Sequence, residues 1–444
     1  MDKSSLKVRN AIVRIVGVFE TKGSVRTLAS KFKQEKYTEE VIDDPKTLDY
    51  FKNYWYPEFR DLYFLRQEES SATILTKNLE NDIVLVVRTN ETTKEKTCIS
   101  VRVEGAEVFL FKNNLHFFSI DLSIEMKELA SYSDLTFVVR NFYTKVLSSD
   151  AELNWVNWIE KEVLCDISIS GETGRKGPKV DDYSGSKFKV FSIIDLEEIV
   201  DQNTRAELLY DLGCGAQIGS AGGQKLFSPS QTYFEELMEN KISIFNNYDI
   251  LPLFDSFTVL GNAMLDEDKT TAKTRTWSQS YFRVFLHNLL IKFNLYRYNS
   301  EMINDSVKVR DQFEEFLNTY NISHISYNFL PNLMYQKHRS SLDIDGELKQ
   351  FQDRITRISE SIREQQQSRA NALLGLVGIF TSIGSVLPIV NAAPKVQRWT
   401  GMNAWVFYSL VGILLISIAI PLLMYLFPEK SKKLKRWWRS RKSV

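Results

Sequence analysis

The sequence predicts an α+β or α/β cytosolic domain followed by a long stalk helix and a two-helix transmembrane hairpin. Three observations lead there. Residues 72–124 alternate apolar and polar side chains, residues 346–370 carry a heptad-spaced apolar seam, and two long C-terminal stretches hold no charge. Alternation marks half-buried strands, a 3-4 spacing marks one face of a helix, and about 20 uncharged apolar residues suffice to cross a bilayer.

The chain has 444 residues, 25% charged and 43% hydrophobic. Its first apolar stretch, near Ile12–Phe19, is short and interrupted by Arg14, unlike the apolar region of a secretory leader. The large N-terminal part is therefore expected to be cytosolic. "DIVLVVRTN", "TCISVRVEG", "EVFLF" and "LHFFSIDLSI" read as an antiparallel meander, the last two joined through "KNN". Helical patterns follow at 151–164, 279–298 and 305–319. The Gly/Lys/Asp-rich stretch 171–187 is the clearest internal boundary. It separates an N-terminal α/β lobe, 1–170, from a second lobe, 188–330.

A stalk helix is expected over 331–370. Within it Leu348, Phe351, Ile355, Ile358 and Ile362 form the seam. Two transmembrane helices follow, 371–394 and 404–427, and then a basic tail, 428–444. Residues 391–444 hold ten Lys/Arg and one acid; subtracting these from 56 and 56 leaves 46 basic and 55 acidic residues upstream, a net of −9. The dense tail charge sets the expected orientation, with both termini cytoplasmic and the protein multi-pass in the inner membrane. An acidic body is a poor partner for a nucleic-acid polymer.

On the first apolar stretch, Asn371, Gly375, Gly378, Ser382 and Ser385 share a narrow stripe. Small residues at that spacing serve either close helix packing or a water-lined pore face. A pore built from a hairpin requires a homo-oligomer, one helix per subunit. Only Cys98, Cys165 and Cys214 are present, so neither a disulfide framework nor a zinc spacing can be drawn. No catalytic residue and no metal ligand set is assigned.

The layout of stalk, hairpin and basic tail, with "GMN" at Gly401, Met402 and Asn403, resembles the CorA-like divalent-cation channels. In this chain the tripeptide follows the loop instead of closing the first span, where Asn391 stands as the polar residue of the outer mouth. These departures resemble the divergent CorA-like membrane effectors of type III CRISPR systems. The resemblance implies a pentamer in a lipid bilayer and gating through the cytosolic domain by a signalling nucleotide, an S-adenosylmethionine–AMP conjugate. It also implies membrane permeabilisation as an antiviral output, and no enzyme activity. A magnesium or other divalent-cation transporter is one alternative, with Mg²⁺ as the ion.

The stretch "YDLGCGAQIGSAGG" is similar to the first motif of S-adenosylmethionine-dependent methyltransferases, so a membrane-anchored enzyme of that class is the other alternative. It nominates Asp211, Gly213, Gly215 and Gly219 as ligand-binding residues. The preceding "NTRAELLY" reads as helix where that motif has a strand, and a plain turn remains open.

Overall fold

The computed structural model describes residues 3–400 except 22, 43, 66–71, 90–92, 94, 148–151, 170–186, 224–227, 269–270 and 303–305, together with a few positions between 403 and 413. Strand β1 (Val8–Glu20) is buried without interruption from Val13 to Phe19. A near-continuous apolar run of this kind suits a strand covered on both faces. Arg14, which interrupts the run, sits directly opposite Asp121 and forms a two-pronged ion pair with it; Glu107 takes its other arm at 3.0 Å. Gly17 faces Phe118, and a Cβ there would lie 2.2 Å from that ring. The glycine is what lets the aromatic lie across the strand.

Helix α1 (Val25–Gln34), strand β2 (Thr38–Glu39) and helices α2 (Pro45–Tyr54) and α3 (Pro57–Arg60) come next. Ser24 and Asp44 cap α1 and α2 by accepting from backbone N–H groups of the first turn. The meander follows as β3 (Thr73–Thr89), β4 (Lys96–Leu110) and β5 (Leu115–Ser123). "EVFLF" continues β4 past a register shift near Gly105. Asn114, at φ 64°, turns the chain into β5.

Helix α4 (Leu129–Arg140), strands β6 (Lys145–Leu147) and β7 (Glu152–Asn154), and helix α5 (Trp155–Glu162) complete the first part. Beyond residue 186 come β8 (Lys189–Leu196), α6 (Gln202–Cys214), α7 (Gln231–Met238), β9 (Ile242–Phe245), β10 (Tyr248–Pro252) and β11 (Ser256–Asn262). The strands join in one sheet ordered β7-β6-β3-β4-β5-β1-β8-β11-β10-β9, with β2 beside β3. Because β8 pairs with β1, strands from both sides of 170–186 share that sheet. The β8–β11 pair is parallel and the others are antiparallel.

Successive side chains point to opposite faces of the sheet, which sorts the core. Phe117 and Phe191 meet helix α9 (Phe282–Glu301) through Phe293, Phe282 and Phe285. Phe118 meets Phe188 on the other face, and Phe188 packs on Phe142 just after α4. Helices α8 (Ala272–Arg275), α10 (Ser306–Tyr320) and α11 (Phe329–Ser341) complete the helical set before α12 (Ile344–Thr400).

Two compact units result, residues 1–351 and 352–444. Helix α12 is a single helix of 57 residues. It continues through Pro394, the last residue of the first expected span, and through Lys395 and Arg398 between the two spans. Among the described residues, no helix is long and apolar enough to cross a membrane. That corrects the transmembrane hairpin, and with it the multi-pass inner-membrane placement and the ion-channel reading. The physical reason is the missing break: the chain stays helical where a hairpin must leave the helix. Most of the second expected span, 404–427, and all of the tail 428–444 lie outside the described residues.

Candidate functional site

The nominated loop turns out to be a helix end. Asp201 caps the start of α6 by accepting from Asn203 and Thr204 N–H. At the other end Gly215 takes the left-handed conformation, φ 65°. Its N–H donates to Leu212 O at 3.2 Å, and the N–H of Ala216 donates to Asp211 O at 2.7 Å. This pair of reversed bonds is the Schellman ending, for which glycine is the preferred residue.

Asp211 is fully buried, and its carboxylate accepts from Gly219 N at 2.7 Å and Ala221 N at 2.8 Å. Burial pushes its pKa up to about 6, against the pull of those amides. Gly213 packs α6 closely on Leu251 and Leu253, and its carbonyl accepts from Ser256 Oγ. Asp211, Gly213 and Gly219 therefore serve the fold of this segment. Gly215 alone of the four lines a cleft, beside Cys214.

That cleft, about 400 Å³, lies where the ends of β3, α4 and α6 converge with the turn before β11. Its volume falls within the range of small-molecule sites. Arg140, the last residue of α4, is nine-tenths buried and donates from Nη2 to Leu212 O at 3.1 Å and Gly213 O at 2.8 Å. A cation at a helix C-terminus meets the negative end of the dipole. Its Nε has no hydrogen-bond partner, and burial holds its pKa below the usual guanidinium range, with Asp255 opposing. The Gly215 Cα faces this guanidinium: a Cβ would sit 3.1 Å from Nη1.

Arg88, Lys145 and Lys187 also line the cleft, and all three are exposed. Arg88 has Asp134 at 3.5 Å, and Lys145 has Glu152 at 3.9 Å. Asp255 is the one carboxylate in the lining, and it pairs with Lys189. Phe137 and Tyr143, 54% and 57% exposed, stand on the rim. The turn carrying Tyr143 is fixed by Asn141, whose side chain accepts from Tyr143 N, and by Thr144 Oγ1 donating to Val138 O at 2.6 Å. Burial raises the Cys214 thiol pKa to about 11, so it is no thiolate nucleophile at neutral pH.

The remaining nominated residues lie elsewhere. Asn371, Gly375 and Gly378 are half-buried positions on α12. Ser382, Ser385 and Asn391 fall within the helical stretch, but their side chains lie outside the described residues, as do Gly401 and Met402. Asn403 is exposed, and its carbonyl accepts from Val406 N at 2.9 Å. Among the described residues, no group of three His, Cys, Asp or Glu is placed to hold a metal ion.

The residues missed from sequence are Arg88, Phe137, Arg140, Tyr143, Lys145 and Lys187. A signal was present: "FVVRNFYTK" interleaves aromatics with cations, the pattern that suits phosphate together with a flat ring. Comparison with protein-family models, curated proteins and solved structures finds no match for this chain.

Proposed function

We propose that the unit formed by residues 1–351 is a receptor for a signalling nucleotide, bound in the cleft between α4, α6 and the end of β3. The observation that carries this reading is local charge reversal. Upstream of residue 391 the chain is net negative by 9 charges. Yet four cations line one cleft, whose single carboxylate already has a partner. Arginine and lysine in a partly dry concavity favour phosphate oxygens. Two exposed aromatics on the same rim favour stacking of a base. An S-adenosylmethionine–AMP conjugate combines a phosphate, an adenine and a second flat ring, so it or a related adenine nucleotide is the ligand class assigned.

The test is calorimetric titration of the purified full chain with that conjugate, ADP, S-adenosylmethionine and inorganic phosphate in parallel. The reading expects saturable binding of at least one phosphate-bearing nucleotide. It also expects affinity to fall as salt rises, because the exposed cations are screened. Lys187→Glu should weaken binding by about tenfold or more, the worth of one charge-assisted contact. Binding of S-adenosylmethionine alone, or no binding to any of the four, would overturn the reading.

A further inference from the structure

The tip of the β10–β11 hairpin touches two places at once. Asp255 lines the cleft and pairs with Nζ of Lys189, whose side chain is 4% exposed. One residue earlier, the Phe254 ring lies against the same ammonium, 4.1 Å from Nζ to the centroid. Lys292 of α9 approaches that ring too, at 5.6 Å, and has a second ring, Tyr296, at 4.8 Å. The Lys292 ammonium donates to Leu342 O at 2.6 Å and to Glu347 Oε1 at 2.8 Å. Leu342 closes α11, and Glu347 lies in the first turn of α12. Every group from Asp255 to Glu347 belongs to the unit 1–351.

We infer that this hairpin tip relays occupancy of the cleft to the base of α12 through Lys189, Phe254 and Lys292. The inference rests on the reading of the cleft as an anion-binding site. A phosphate beside Arg140 and Lys187 repels the Asp255 carboxylate and changes its hold on Lys189. Lys189 and Lys292 share one aromatic ring, so displacement of one ammonium alters the favourable position of the other. Lys292 has two perches, Phe254 and Tyr296, and moving between them alters its bonds to Leu342 and Glu347. An element with two arrangements that a distant site can bias is what coupling requires.

Hydrogen exchange of amides 347–351 in the full chain reads the relay without any ligand. Asp255→Asn removes the charge while keeping the shape, and should raise exchange there by about fivefold, a local opening effect. In a Phe254→Leu background the same change should have no effect on those amides. Phe254→Leu alone, at a position 42% exposed, should itself raise their exchange by about twofold or more. Amides of β4 and β5 should stay protected throughout, which marks the change as local.

Unchanged exchange at 347–351 in both single variants overturns the relay, and so does an equal Asp255→Asn effect with and without Phe254. ADP binding, measured on the same samples, separates the two claims. Coupled exchange in a protein that does not bind ADP would sustain the relay and count against the cleft's ligand. ADP binding with no coupling would do the reverse.

Discussion

Gly215 carries two constraints at once. Its backbone is left-handed, which costs a residue with a Cβ about 1–2 kcal/mol. Its open face also lies against the Arg140 guanidinium, 3.1 Å from where a Cβ would sit. Gly215→Ala is expected to lose about that much stability in urea denaturation, and to weaken nucleotide binding by displacing Arg140. Asp211 makes a different prediction. Asp211→Ala leaves the amides of Gly219 and Ala221 without an acceptor, each worth about 1–3 kcal/mol when buried. It should destabilise more than Asp211→Asn, which keeps one acceptor oxygen; equal losses would contradict the assignment. These residues drew notice in the sequence because Asp-x-Gly-x-Gly serves two purposes. It ends a helix as readily as it turns a strand toward a ligand. The helical pattern upstream, "NTRAELLY", was the physical cue that decided between them. Arg140 stands inside the mixed aromatic and basic run "FVVRNFYTK", but that run does not place it, since its role depends on α4 ending beside the C-terminus of α6.

At the scale of elements, α12 shows how a seam can be read correctly in spacing and still serve another purpose. Leu348, Phe351 and Ile355 are buried, whereas Ile358 and Ile362 are half-buried. Phe351 packs edge-on against Phe313 of α10 at 4.5 Å between centroids, with Tyr298 of α9 nearby. The first turns of the seam are thus used inside the unit 1–351, so a heptad pattern there is no evidence for self-association. Phe351→Ala should cost about 3–5 kcal/mol, the usual loss for a buried ring. Its exchange signature should be confined first to α9, α10 and the start of α12. The meander over 72–124 was legible because strict alternation has one cause, a sheet face in contact with a core. The break between α11 and α12, at Asp343 with φ 49°, was not, because no Gly or Pro stands at the break itself and Gly346 falls in the first turn of α12. The absence of a helical break before Thr400 was equally hidden, because Pro394, Lys395 and Arg398 fall where the two apolar stretches adjoin, and the chain continues helical through them.

Across the whole molecule, the sheet brings together segments that sequence order kept apart. The parallel β8–β11 pair and the crossover through α6 place Asp255, Cys214 and Arg140 at one end of the sheet, and no local pattern encodes that meeting. The same burial sets a pH limit. His116, His287 and His338 are buried, and burial lowers each pKa to about 3. His116 accepts from Phe111 N at Nδ1 and so carries its proton on Nε2, facing Thr21. Because the folded values lie below the unfolded value near 6.5, the unfolded chain binds more protons between those limits. The resulting stability is complete above about pH 6.5 and is lost as pH falls toward about 3. Each histidine contributes a slope of about 1.4 kcal/mol per pH unit inside that window, so urea midpoints should drop steeply from pH 6 to pH 4. A flat profile over that range would contradict the neutral, buried assignment.

Whether the cleft holds a nucleotide is read by photolabelling the full chain with 8-azido-ADP and mapping the modified peptide. Saturable labelling is expected on the segment from Phe137 to Lys145, suppressed by excess ADP and shifted to about tenfold higher probe concentration in Lys187→Glu. Labelling confined to other segments, or labelling that excess ADP does not suppress, would contradict nucleotide binding there.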